Sequence, residues 1–294
     1  MIIAHNLMAM NAYRAYNMHA MKLAGIVEKL STGLRINRAA DDPSGLMISE
    51  KMRSQIRGLQ QASRNALDGI SVLQIADGAL NEVHDMLQRI NELAVKAANG
   101  TWNPEDRYAM QMEVNELTDE IDAITSGGRT QFNGMNLLDG SFVDKKLQIG
   151  ANAGQTMDIS IGKIDTHAAG MLDKQNVDVV MSDGTTKSVE VKGINVMSQK
   201  TAGEGITIAQ NAIKAVAERR AEIGAKHNRL EYTIRNLDNQ AENLQVAESR
   251  IRDADMAKLF SEYMRETLLM QAAQFMMAQA NMLQYNVLYL LRPW

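Results

Sequence analysis

Cysteine is absent from the 294 residues, which excludes disulfides, thiolate metal sites and thiol nucleophiles. Proline occurs three times, at Pro43, Pro104 and Pro293, so almost nothing in the chain interrupts a long helix. Aromatic residues make up 4%, too few for a thick globular core, while methionine reaches 21 residues. Flexible thioethers and few rings suit thin seams between helices. No excess of one charge is present either: the net charge is −4 with 22% charged residues, which argues against a basic nucleic-acid face. Phosphate-cradling, dinucleotide-binding and nucleophile-elbow motifs are missing, as is H-E-x-x-H. Met1 to Tyr13 contains no Lys or Arg and no small-residue cleavage site. The expectation is therefore export, if any, by a route that needs no cleaved signal peptide.

What is there is helical periodicity. Ile2, Ile3, Leu7, Met10, Met18, Met21, Leu23, Val27 and Leu30 recur at near-helical spacing until Gly33. Asp41-Asp42-Pro43 then offers an acidic cap with proline at the first helical position. Capping explains this acidic pair more simply than a carboxylate dyad for acid–base work. From Pro43 to about Asn99, apolar or small residues alternate at steps of four and three, through Leu59, Leu73, Leu80, Leu87 and Ile90. That is a heptad seam with a single stammer near Leu73, on a helix roughly 85 Å long. Asn103-Pro104-Glu105-Asp106 caps a further helix with a stripe at Met110, Val114, Leu117, Ile121 and Ile124, ended by Gly127-Gly128.

Residues 129–205 change character. Apolar residues alternate at Leu147/Ile149, Met157/Ile159/Ile161 and Val189/Val191, and Ser182-Asp183-Gly184-Thr185 reads as a hairpin turn. A second long helix is predicted from near Gly205, its seam running through Val216, Arg220, Ile223, His227, Leu230 and Leu237. Arg220 and His227 on that seam are expected to bond across a bundle or to reach its edge. His5, His19, His84, His167 and His227 are too widely spaced for a zinc site.

Both ends lack charge. Between Glu266 and Arg292 lie 25 residues without Asp, Glu, Lys or Arg. A membrane span is the rival reading, but Gln271, Gln274, Gln279, Asn281, Gln284 and Asn286 make hydrocarbon a poor solvent for the stretch. Burial against other protein chains accommodates amides, because those chains supply donors and acceptors. The candidate self-assembly residues are Ile2, Ile3, Leu7 and Met10 at one end. At the other they are Leu268, Leu269, Phe275, Met276, Leu283, Val287 and Leu288. Expected fold class is mainly α, an elongated antiparallel coiled-coil or helical-bundle rod with paired terminal helices and a small β-hairpin-rich insert.

Leu30 to Asp42 (LSTGLRINRAADD) with Gly45-Leu46, and Gln60 to Ala66 (QQASRNA) with Asp68 to Ser71, resemble the N-terminal signature of bacterial flagellins. Phe132-Asn133-Gly134 with Leu137 to Gly140 resembles the end of that N-terminal region. Asn228 to Glu231, Ala241 to Leu244 and Ala247 to Asp253 (AESRIRD) resemble the C-terminal signature, completed by Gln271 to Ala273 and Gln279 to Leu288. The likeness covers about 1–165 and 205–292.

What the resemblance implies is a subunit of the flagellar filament, a polymer rotated as a propeller, with a hook–filament junction protein of related ends as the alternative. It implies an inner-core region (the family's D0) at 1–42 and 253–294. The outer helical region (D1) would be 43–170 and 201–252, with a short variable insert at 171–200. Implied partners are other copies of the chain, a secretion chaperone on roughly 253–291, the filament cap and hook-junction proteins, and no cofactor. Implied too are passage through the flagellar type III channel and an extracellular location. Gln88, Arg89, Leu93 and Glu113 match the positions recognised in the family by the vertebrate Toll-like flagellin receptor, while Asn91 departs from a frequently basic residue. Pro293-Trp294 extends past the usual family end.

Overall fold

In the computed structural model, residues 5–163, 172–180 and 186–290 are described. The chain divides into two compact units, one of residues 1–56 and 241–294 and one of residues 57–240.

The first unit holds α1 (Leu7–Thr32), the start of α2 (Pro43–Ala97), the end of α4 (Gln199–Arg252) and α5 (Met256–Leu290). Asn6 caps α1, its side-chain oxygen accepting from the Ala9 N–H at 3.0 Å. Gly33 ends the helix in the left-handed region at φ 71°, where glycine carries no steric penalty. The two acids before Pro43 do different work, and only Asp42 caps a helix. Asp42 accepts from the Gly45 N–H at 2.9 Å and starts α2. Asp41 accepts from the Asn37 and Arg38 N–H groups at 3.1 and 3.0 Å, bonds that hold its carboxyl below the usual range. α1 and α5 pack along each other as an antiparallel pair. At their far ends from the termini, Leu34 and Asp253 form an isolated antiparallel bridge.

The second unit contains the rest of α2 and α4, α3 (Pro104–Thr125) and three two-stranded antiparallel sheets. Its core is the predicted heptad seam: Leu73, Leu80, Leu87 and Ile90 of α2, Val114 and Ile121 of α3, and Val216, Ile223 and Leu230 of α4 are buried together. Arg220 Nε donates to Asp77 Oδ1 at 2.9 Å and Nη1 to Asn81 Oδ1 at 2.9 Å, so the seam arginine bonds across the α2–α4 pair. Pro104 opens α3, as the capping sequence predicts, with Asp106 accepting from the Asn103 N–H at 3.3 Å.

Strands β1 (Gln131–Phe132) and β2 (Met135–Asn136) form a hairpin whose central Asn133 and Gly134 both have positive φ, 49° and 74°. β3 (Lys145–Gln148) pairs with β4 (Thr156–Ile159), placing Leu147 opposite Met157. β5 (Leu172–Val180) pairs with β6 (Thr186–Gly193), and β6 packs on α3. The Ser182–Thr185 turn read from the sequence lies outside the described residues.

One helix start differs from expectation. α4 begins at Gln199, not near Gly205. Gly205 lies inside the helix where the buried Ile194 packs against it: a Cβ there would stand 2.3 Å from Ile194 Cγ2. The glycine serves close packing rather than a helix boundary.

Candidate self-assembly surface

Pairing of α1 with α5 is specified by a few polar bonds along an otherwise apolar seam. Near the chain ends, the Asn6 side-chain amide donates to the Ala280 carbonyl at 3.0 Å and to Asn281 Oδ1 at 3.4 Å. Midway, His19 Nδ1 lies 2.6 Å from Glu266 Oε2, with both side chains largely buried. The hydrogen bond from His19 holds the Glu266 carboxyl below its ordinary pKa, with Lys22 adding to the effect. At the base, the Arg35 N–H donates to the Arg252 carbonyl at 2.7 Å and the Ala254 N–H to the Gly33 carbonyl at 3.0 Å. Glu50 accepts from Arg252 and is held below its usual range by that bond.

These contacts leave most of both helices uncovered. α1 buries no side chain fully. On α5, only Glu266 and Ala280 are buried among the described side chains. Phe260, Met264, Leu268, Leu269, Phe275, Met276, Met282 and Leu283 are exposed, with Phe275 at 76%. They occupy several directions around the helix axis, so one partner helix cannot cover them. Between the helices runs a groove of about 410 Å³ lined by Met8, Ala12, Ala15, Ala273, Met276 and Leu283.

Of the assembly residues expected from the sequence, Leu7, Met10, Leu268, Leu269, Phe275, Met276 and Leu283 are all solvent-exposed. Ile2 and Ile3 lie outside the described residues, as do the side chains of Val287 and Leu288 and the tail Pro293-Trp294. Among the described residues, no helix is long and apolar enough to cross a membrane.

The second expected cluster is split. Arg89 Nε donates to Glu113 Oε1 at 2.8 Å and Nη1 to Glu92 Oε2 at 3.1 Å, joining α2 to α3 on the surface. These bonds raise the Arg89 pKa. Gln88 is exposed beside His84, at 2.9 Å. Leu93, by contrast, is 2% exposed and belongs to the core. Only Gln88, Arg89 and Glu113 present a surface.

A polar seam in the second unit leaves little trace in the sequence. The wholly buried Gln111 donates to Asn115 Oδ1 and to the Ile194 carbonyl, each at 3.0 Å, and accepts from the Val196 N–H at 2.8 Å. Asn115 continues it, donating to the Glu190 carbonyl and accepting from the Lys192 N–H at 2.9 Å. The seam fixes β6 and the chain after it against α3. An amide four residues from another on a helix is the only sequence trace it leaves.

A helical chain that pairs its two ends and leaves that pair apolar on several sides is a self-associating structural protein. Comparison with known proteins makes the class specific. Residues 3–143 match the bacterial flagellin N-terminal helical region, and residues 206–291 match the bacterial flagellin C-terminal helical region. A flagellin of Halalkalibacterium halodurans is 47% identical over 292 residues, covering 99% of this chain and 100% of the relative. The flagellin of Bacillus subtilis is 46% identical over 308 residues, with the same coverage. A putative flagellar hook-associated protein from Vibrio parahaemolyticus shares the fold, with a TM-score of 0.50 at 16% identity over 72% of this chain and all of that one.

The chain belongs to the bacterial flagellin family. It is a structural subunit that polymerises into the helical flagellar filament, the propeller of motility, and not an enzyme. The hook–filament junction reading is less well supported, because the full-length relatives are flagellins and the hook-associated likeness extends to fold alone.

Proposed function

We propose that the uncovered surface of the α1–α5 pair is the contact through which copies of this subunit pack in the inner core of the filament. Residues 1–42 and 253–294 form that core region on this reading, and 43–170 with 201–252 form the surrounding helical layer. Residues 171–200, which hold β5 and β6, are the short variable insert. One observation carries the proposal: α5 exposes large apolar side chains in several directions while α1 covers a single side. At roughly 25 cal/mol per Å², that surface is a strong drive to associate. The helix breaks between Thr32 and Pro43 and at Asp253 fall at these boundaries, while the compact units themselves divide further along α2 and α4, at 56/57 and 240/241.

The same surface explains the remaining partners. Before assembly it is held by a secretion chaperone on roughly 253–291. The chain passes through the flagellar type III channel, folds beneath the filament cap outside the cell, and meets the hook-junction proteins at the filament base. Gln88, Arg89 and Glu113 form the part of the host Toll-like receptor contact that a free subunit presents.

Seeded polymerisation tests the core proposal. Full-length chain incubated with filament fragments is expected to give long filaments by electron microscopy, and chain lacking 274–294 none. Removal of 274–294 should leave the helical circular dichroism of α2 to α4 largely intact. Filaments of normal length from the truncated chain would overturn the assignment of α5 to the assembly contact.

A further inference from the structure

The apolar surface of α1 and α5 is built to an unusual degree from thioethers. Met8, Met10, Met18 and Met21 are exposed on α1, Met21 at 78%. Met256, Met264, Met276 and Met282 are exposed on α5. On α1, Met10, Met18 and Met21 fall with Leu7 within about 80° around the helix, at 100° per residue, so three of the four share one face. Leucine would bury as much apolar area and has similar helix propensity. Sulfur adds one property that leucine lacks: it can be oxidised.

No cysteine is present to compete, so thioethers are the only reactive sulfur in the chain. Accessibility then sorts the methionines. Met110, Met157 and Met197 in the second unit are buried, where peroxide cannot reach a sulfur lone pair without unfolding.

We propose that the exposed methionines of α1 and α5 form an oxidation site that switches assembly of the free subunit off. The co-reactant is a hydroperoxide, hydrogen peroxide in the simplest case. A sulfur lone pair attacks one peroxide oxygen, the O–O bond breaks and an S–O bond forms. The other oxygen leaves as hydroxide and takes up the proton that the new S–OH group releases, giving water and the S=O group. Sulfur gives up two electrons, peroxide accepts them, and methionine becomes the sulfoxide. The product carries a strong dipole and a hydrogen-bond acceptor on a surface whose neighbours are mostly methyl and methylene groups. Packing it against another subunit strips water from a strongly solvated acceptor in seats shaped for a thioether, and the amides of α5 sit at other positions on the helix, which opposes association. In a finished filament the same sulfurs are covered, so oxidation acts on subunits before assembly. Reduction by methionine sulfoxide reductases makes the change reversible.

This inference rests on the α1–α5 pair being the assembly contact, and the experiment separates the two. Full-length subunit is treated with hydrogen peroxide, quenched, and its seeded polymerisation compared with untreated subunit. Peptide mass spectrometry locates the sulfoxides. The expected result is sulfoxide at the α1 and α5 methionines, little at Met110, Met157 and Met197, and a rise of about ten-fold or more in critical concentration. Treatment with methionine sulfoxide reductases A and B should restore assembly. A variant with leucine at all eight exposed α1 and α5 methionines should polymerise after peroxide as before it. Leucine at Met47, Met112 and Met135, exposed elsewhere, should leave the sensitivity unchanged. Unimpaired assembly of oxidised wild-type subunit overturns the proposal, and so does an eight-leucine variant as sensitive as the wild type. Should the variant itself fail to assemble, restoration of the oxidised wild type by reductase decides the question: none refutes the switch. Failure of the untreated wild type to polymerise would refute the assembly contact instead.

Discussion

His19 on α1 and Glu266 on α5, 247 residues apart in sequence, meet at 2.6 Å as the central polar bond of the terminal helix pair. Lys22 and Arg265 are the cations that also act on Glu266. Because the folded state lowers the pKa of Glu266, the bond contributes stability above the unfolded value of about 4.3. That contribution is lost as pH falls through the lowered folded value. Amide protection factors in α1 and α5, corrected for the intrinsic exchange rate at each pH, should therefore fall on acidification before those of the α2–α4 core. Glu266→Gln should remove this step while leaving exchange in α2 unchanged. An identical acid profile in the variant would contradict the assignment.

Leu283→Asp should abolish seeded polymerisation without changing the helical content of the monomer. Leu283 is 50% exposed in the single subunit, so a carboxylate there can turn to water at little cost. Against another copy it becomes buried and unpaired, at a cost of about 3 kcal/mol or more. Filament yield by sedimentation checks the prediction.

Gln111→Leu should lower stability by about 2–4 kcal/mol, since it leaves the Ile194 carbonyl, the Val196 N–H and one Asn115 acceptor without their partner. Urea denaturation measures the loss. The Val196 amide should show the largest gain in exchange rate.

Two glycines of α4 should respond in opposite directions. Gly205→Ala sets a Cβ 2.3 Å from Ile194 Cγ2 and should destabilise by about 1–3 kcal/mol. Gly224→Ala meets nothing within 4 Å and should stabilise by about 0.5–1 kcal/mol through helix propensity. Thermal melts of the two variants, moving apart from the wild type, report the difference.

Arg89→Ala should reduce receptor signalling by free subunit while leaving its thermal melt close to the wild type, because Arg89, Glu92 and Glu113 are all surface residues. Undiminished signalling would remove Arg89 from the receptor contact.

Periodicity made the long helices legible. Leu73, Leu80, Leu87 and Ile90 are buried because a heptad repeat writes helix and partner face into local spacing. Caps were equally readable at Asp42 and Asn103, where the signal lies within four residues of its effect. What escaped depends on distant partners. Gly205 resembles a helix boundary until Ile194 is brought against it, and Gln111 resembles any helical glutamine until Val196, 85 residues on, donates to it. Leu93 shows the limit of a resemblance: a motif places the residue in a segment, but only packing shows that its side chain turns inward.

The paired breaks at Gly33–Arg35 and Arg252–Ala254 have a mechanical consequence. A single connecting strand swivels about its own bonds and transmits little twist. Here two covalent crossings run side by side, cross-linked by the Arg35 to Arg252 and Ala254 to Gly33 bonds. Torque applied to α1 and α5 therefore loads those bonds, and through Arg252 and Glu50 it reaches α4 and the start of α2. In a propeller subunit, the place where the helices are interrupted is also where the chain is doubled against torsion.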